Sequence, residues 1–211
     1  MKITFISDTH GSHRQLDILA GDMIIHAGDI CNKGAVDEVE DFLDWYKSLN
    51  FKYKIFIAGN HDFFLERASQ YEIESMMPKE LIYLNDSGTT IEGIKIWGSP
   101  IQPWFYDWAF NRKRGEEIRK HWDSIPQDTD ILITHGPPHN ILDNTISGEH
   151  AGCEDLLETI KNIKPKIHVF GHIHEDYGMK EVANTTYINA SVLDIRYRLV
   201  NPPIEIEYDE F

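Results

Sequence analysis

What most constrains this chain is a recurrence of short apolar runs that all end the same way. The segments "KITFIS", "DMIIHAG", "YKIFIAG", "DILITHG" and "KIHVFGH" each break off among small residues, with Asp, Asn or His alongside. Runs of this length bounded by turn formers read as buried strands. Between them, Val36, Val39, Phe42, Leu43 and Tyr46 in "AVDEVEDFLDWYKSL" recur at helical spacing, as do Leu156, Leu157, Ile160 and Ile163 in "CEDLLETIKNI". Strands alternating with amphipathic helices predict an α/β sheet. "LIYLND", "TTIEGIKIWGS", "TTYINAS" and "IEIEYD" read as further strands, enough for a second sheet. No repeat, low-complexity tract or linker divides the chain, and its 211 residues suit one domain, so a single domain over 1–211 is expected.

The strand ends carry the chemistry. In "KIHVFGHIHEDYG" the buried run from Ile167 stops at Gly171, where a backbone can turn or approach another group closely. His172 and His174 follow; residues two apart in extended chain point the same way, so both rings can aim at one spot. The other runs lead into Asp8 and His10, into Asp29, into Asn60, His61 and Asp62, and into His135. Ligands of open α/β sheets bind in the crevice outside the carboxyl ends of the strands. Residues far apart in sequence therefore converge there: two aspartates, an asparagine and at least four histidines, oxygen and nitrogen donors suited to zinc, manganese, iron or nickel. That is too many for one ion. A bridging carboxylate lets such a set hold two cations, about 3.5–4 Å apart.

Charge and cysteine content narrow the function classes. Lys and Arg number 20 against 35 Asp and Glu, a formal net charge of −15, which opposes a long nucleic-acid backbone. Only Cys31 and Cys153 are present, without a Cys-x-x-Cys, so neither a disulfide framework nor a thiolate zinc knuckle is expected, and a reducing cytoplasm fits. "MKITFISDTH" reaches Asp8 too early for a signal peptide, and no run approaches the ~18 apolar residues of a membrane span.

Taken in order, Asp8-x-His10, Gly28-Asp29, Gly59-Asn60-His61-Asp62, His135-Gly136 and Gly171-His172-x-His174 resemble the calcineurin-like metallophosphoesterases. "WGSPIQPWFYDWAFN", "THGPP", "GCEDLL" and "YINAS" resemble more closely the branch called metallophosphoesterase-domain-containing proteins, some of which hydrolyse cyclic nucleotides and other phosphodiesters. The resemblance implies two facing mixed β-sheets flanked by helices, a four-layer α/β/β/α sandwich. It implies two divalent transition-metal ions (manganese favoured; iron, zinc or nickel the alternatives), one on Asp8, His10 and His174, the other on Asn60, His135 and His172, with Asp29 bridging and so sharing in catalysis. Two cations on a shared water lower its pKa toward about 7, so hydroxide is available for in-line attack, and they stabilise charge developing on phosphorus. His61 would point at the leaving oxygen as general acid or electrostatic stabiliser.

One departure from the family pattern bears on the substrate. Where many members read Gly-Asp-x-x-Asp-Arg-Gly, this chain has "GDICNKG", with Asn32 and Lys33 at the two variable positions. Asn32 can accept a hydrogen bond from His61 but brings no carboxylate charge, and Lys33 lacks the two-pronged hold of arginine on phosphate. Both favour a small phosphodiester, a nucleotide among the candidates, over a monoester dianion. The alternative is a nucleotide-binding regulatory module of the same fold with little turnover. Trp97 to Arg114 is rich in aromatics; Trp104 and Phe105 are candidate substrate contacts on a rim loop, the rival reading being a buried mini-core. His26 is expected to support the core or the ligands from within its strand, His13 and His139 to lie in loops near the site, and His150 to be a structural or rim residue.

Overall fold

The computed structural model describes residues 1–208; Asp209, which closes the "IEIEYD" run, lies outside the described residues. The elements follow in the order β1 (Lys2–Ile6), β2 (Gly21–His26), α1 (Val36–Ser48), β3 (Phe51–Phe56), α2 (Phe63–Arg67), α3 (Gln70–Met76), β4 (Leu81–Tyr83), β5 (Ser87–Ile91), β6 (Ile94–Ser99), β7 (Gln102–Pro103) and β8 (Asn111–Arg112). Then come α4 (Glu116–Trp122), β9 (Ile131–Thr134), α5 (Glu154–Ile163), β10 (Ile167–Phe170), β11 (Gly178–Val182), β12 (Thr185–Asn189) and β13 (Ile204–Glu207). They build a five-stranded sheet, β13-β1-β2-β3-β4, and a six-stranded sheet, β11-β12-β10-β9-β6-β5. Each is mixed: the inner strands run parallel, and β13, β11 and β5 pair antiparallel at the edges.

Residue alternation explains the layers. Ile3 and Phe5 of β1, Met23 and Ile25 of β2 and Ile55 of β3 pack with Ile131, Ile133, Ile167, Val169 and Ile188 of the other sheet in one apolar cluster, the filling between the sheets. The intervening residues, Ile6, Ile24 and Phe56 on one sheet and Leu132 and Phe170 on the other, belong to the cluster that includes Val39, Phe42, Leu43 and Tyr46 of α1 and Leu156, Ile160 and Ile163 of α5. Strands apolar on both faces are what a sheet covered on both sides requires. The two large mixed sheets are flanked by helices, as the resemblance implies.

Local differences from the sequence reading have local causes. "TTIEGIKIWGS" is not one strand but the hairpin β5–β6, turned at Glu92 and Gly93, both at positive φ (49° and 84°), as tight hairpin turns require. The edge strand β11 is mostly exposed and carries no apolar alternation. The helices α2, α3 and α4 are too short, at five to seven residues, for periodicity to be read. Among the described residues, no helix is long and apolar enough to cross a membrane. Cys31 and Cys153 are both free and buried.

Candidate metal centre

β1, β2, β3, β9 and β10 are neighbouring parallel strands in the two sheets, so the loops leaving their carboxyl ends gather at one edge of the sandwich. Three sets of side chains come together there with ligand atoms within 4.8 Å of one another: Asp8, His10 and His174; Asp29, His135 and His172; and His10, Asp29 and His61. Asn60 joins the second set, its Oδ1 2.8 Å from His135 Nε2. Asp29 belongs to two sets, with Oδ2 3.6 Å from His10 Nε2 and 3.3 Å from His135 Nε2. The loops are strained to do this: Asp8, His10, Asp29 and His172 all adopt positive φ (55°, 41°, 57° and 68°), a conformation uncommon outside glycine that persists where the surroundings enforce it.

Gly171 is explained by proximity. A Cβ at this position would fall 2.0 Å from Asp8 Oδ2 and 2.2 Å from Ser7 Oγ. The missing side chain lets the Asp8 carboxylate lie against the turn, where it accepts from the His172 N–H at 3.0–3.1 Å. Gly59 plays the same part for Asp29, whose Oδ1 would lie 2.4 Å from a Cβ there.

The tautomers of the rings are set by the backbone. Nδ1 of His10 faces the Cys31 carbonyl at 3.2 Å, Nδ1 of His135 the Ala27 carbonyl at 3.0 Å, and Nδ1 of His174 the Asp194 carbonyl at 3.1 Å. A carbonyl only accepts, so each Nδ1 carries a proton and Nε2 is the atom each ring turns inward, a lone pair there once any proton on it is given up. The Nε2 atoms of His10 and His174 face one another at 3.4 Å, and His174 Nε2 is 3.4 Å from Asp8 Oδ1. Inward lone pairs and two buried carboxylates with this backing are the arrangement that divalent cations satisfy. Asp8, Asp29 and the histidines therefore fit a pair of such ions by their donor chemistry.

Without cations the set shares protons. Burial opposes charge on His135, but the Asp29 carboxylate outweighs it and the pKa rises to about 9. His174 likewise rises to about 9, burial being overcome by its bond to Asp8. Burial lowers His10 to about 4 despite Asp29 and Asp8, and lowers His172 to about 3, assisted by the charge on His135. Both carboxylates are held below the usual range: burial alone would raise them, and the surrounding histidines prevail.

Further residues brace these candidate ligands. Asp62, fully buried, accepts from the N–H groups of Ile30, Cys31 and Gly59 and so ties the loop after β2 to the loop after β3. His26 accepts from Gly28 N–H at Nδ1 and donates from Nε2 to Thr9 Oγ1, bracing the Asp8–His10 and Asp29 loops from within β2. Ser191 of "YINAS" donates to Asp8 Oδ2 at 2.7 Å. Neither Ser191 nor the loop 194–198 was singled out by the sequence. That loop supplies the Asp194 carbonyl and, through Tyr197 at a φ of 56°, a ring 4.8 Å from His10 and 5.6 Å from His174. His13 packs instead on Phe42 and Trp45, and His150 bonds Asp143 at 2.7 Å.

His61 is clamped. Its ring stacks on Trp108 at 4.3 Å, meets His10 edge-on at 4.5 Å, and donates from Nδ1 to the carbonyl of Asn32 at 2.8 Å, leaving Nε2 for the cleft. The contact with Asn32 is through the main chain, so the Asn32 side chain is not what orients this ring. Asn32 and Lys33 are exposed, with their N–H groups bonded to Glu38. The metal cleft, about 170 Å³, is walled by candidate ligands together with His61, Phe105, Trp108 and Tyr197. Phe105 and Trp104 also line an adjoining cavity. Of the aromatic segment, Trp104, Phe105 and Tyr106 are 54%, 49% and 75% exposed while Phe110 is buried, so it is a rim loop with a buried root. The loop is fastened to the site by Ala109 N–H on the Asn60 carbonyl.

The fold and this cluster of candidate donors agree with a metallophosphoesterase, and the chain belongs to the calcineurin-like phosphoesterase family, whose model matches residues 1–176. It is 41% identical over 225 aligned positions to metallophosphoesterase domain-containing protein 1 of Homo sapiens, covering 96% of this chain and 69% of that one. Among solved structures it resembles phosphopantetheinyl hydrolase from Mycobacterium tuberculosis, with a TM-score of 0.68 at 15% identity, covering 99% of this chain and 96% of the other. At that identity the likeness is one of fold.

Proposed function

We propose that the chain is a binuclear metal-dependent phosphodiesterase of the cytoplasm that hydrolyses small phosphodiesters, cyclic nucleotides among them, with manganese as the favoured metal. The carrying observation is the set of Nε2 atoms that backbone carbonyls at Nδ1 turn toward Asp8 and Asp29. In this reading Asp8, His10 and His174 hold one ion, Asn60, His135 and His172 the other, and Asp29 bridges. When bound, the ion pair supplies an activated water for in-line attack and positive charge for the transition state. His61, held by Trp108 and the Asn32 carbonyl, presents Nε2 to the departing oxygen and in protonated form gives it a proton. Trp104 and Phe105 border the space for an ester arm.

Preference for a diester is supported by what the cleft lacks: among the described residues, no Arg or Lys lines it. A monoester dianion gains most from such a cation, whereas a diester carries one charge less. With manganese supplied, kcat/KM for bis(p-nitrophenyl) phosphate is expected to exceed that for p-nitrophenyl phosphate. The reverse order would overturn the assignment.

A further inference from the structure

Three hollows meet at Phe105. One is the metal cleft; the second is a cavity of about 400 Å³ lined by Trp104, Phe105, Arg114, Glu149, His172 and Glu175 among others. The third is an open groove bounded by Phe63, Phe105, Tyr106, Asp107 and Trp108. His172 is common to cleft and cavity, and Trp108 to cleft and groove. A phosphodiester at the cleft has two arms to place. Because His61 stacks on Trp108, the arm whose oxygen departs beside His61 lies toward the groove, and the retained arm lies past His172 in the cavity.

The cavity's lining indicates what that retained arm carries. Its one arginine is committed to the wall: Arg114 donates from Nη1 to the Gly152 carbonyl at 3.0 Å and from Nη2 to the Ala151 carbonyl at 3.1 Å. The two carboxylates are exposed and less engaged. Glu175 accepts from Ile146 N–H with one oxygen, and Glu149 has no side-chain partner among the described residues. The half-exposed rings of Trp104 and Phe105 line the same cavity. Two carboxylates against one guanidinium, in a cavity that also offers aromatic rings, favour an organic cation over an anion.

We propose that this cavity binds the retained alcohol of the diester and selects an arm bearing an organic ammonium group. The inference rests on the phosphodiesterase reading and adds the substrate class to it. Water adds to phosphorus, the bond to the leaving oxygen breaks, and that oxygen takes the proton. The products are a free alcohol from the groove side and the phosphomonoester of an amino or trimethylammonium alcohol from the cavity side.

The test uses full-length, manganese-loaded protein and two esters with the same leaving group, p-nitrophenyl phosphorylcholine and its neutral isostere p-nitrophenyl 3,3-dimethylbutyl phosphate. The choline ester is expected to have a roughly tenfold higher kcat/KM, mostly through a lower KM. The ratio should fall to near one in Glu149→Gln/Glu175→Gln and persist in Glu158→Gln, an exposed change on α5. The 2-aminoethyl ester distinguishes a quaternary from a primary ammonium arm, and preference for either over the neutral ester supports the proposal. Independently of turnover, choline but not 3,3-dimethylbutanol should quench the fluorescence of Trp104, a signal absent in Trp104→Ala. Equal rates for charged and neutral esters, with bis(p-nitrophenyl) phosphate still hydrolysed, would overturn this inference alone. No hydrolysis of any diester by protein holding both metals would overturn it together with the reading beneath it.

Discussion

At the residue scale, Gly171 and His61 show how little tolerance the centre has. Gly171→Ala would drive a methyl into the Asp8 carboxylate, so metal on the Asp8 side should bind about 10–100-fold more weakly, measured by chelator competition. Unchanged affinity would mean that the turn relaxes and that Asp8 does not depend on it. His61→Ala should leave both metals bound and lower kcat by about 10²–10⁴-fold for a diester with a poor leaving group, with a smaller loss for p-nitrophenolate. A lost metal would make His61 a ligand, in keeping with its place beside His10 and Asp29. Residue identity and strand ends made the convergence of Asp8, His10, Asp29, Asn60, His135, His172 and His174 legible in the sequence. It did not show their support. The partners of His10, His135 and His174 are backbone carbonyls, which every residue has, so no letter marks them.

At the scale of elements, the five central strands and the two long helices were legible because burial on both faces, or on one helical stripe, leaves a periodic pattern. The loop 194–198 left none. Its form depends on Asp194, whose carboxylate accepts from the N–H groups of Arg196 and Arg198 and pairs with the Arg198 guanidinium. These bonds hold the Asp194 carboxyl at about 2, the guanidinium contact foremost. The residue also lies beyond the stretch matched by the family model. Asp194→Ala should loosen the carbonyl on His174 and the Tyr197 wall together, weakening metal affinity about tenfold or more and raising KM. Tyr197→Ala should raise KM while leaving metal content unchanged. If both variants behave alike, the loop acts only as a wall and the carbonyl contact is dispensable.

For the whole molecule, the buried histidines make stability depend on pH in two directions. His135 and His174 have native pKa values of about 9, above the ordinary 6.5, so their contribution is full below pH 6.5 and lost as pH rises toward 9. His26 and His168, held at about 3 by burial, behave oppositely: the unfolded chain takes the proton first, and stability falls as pH drops from 6.5 toward 3. His10 and His172 add to that acid limb. Asp62, raised to about 7 by burial and the charge of Asp29, opposes it, one group against four. Metal-free protein should therefore melt highest near pH 6.5. Adding manganese should remove the basic limb, because the protons on His135 and His174 are displaced, and leave the limb from His26 and His168. A basic limb that survives saturation with metal would place those protons elsewhere.

The central claim is that seven side chains from the ends of five strands form one two-ion centre that shares Asp29. Metal content by elemental analysis of wild type, Asp29→Ala and Asn60→Ala, each purified with manganese and dialysed, tests it most directly. Two ions per chain in wild type, neither retained in Asp29→Ala and one retained in Asn60→Ala is the expected result. Two ions retained in Asp29→Ala, with hydrolysis of bis(p-nitrophenyl) phosphate intact, would contradict the bridging role and with it the binuclear centre.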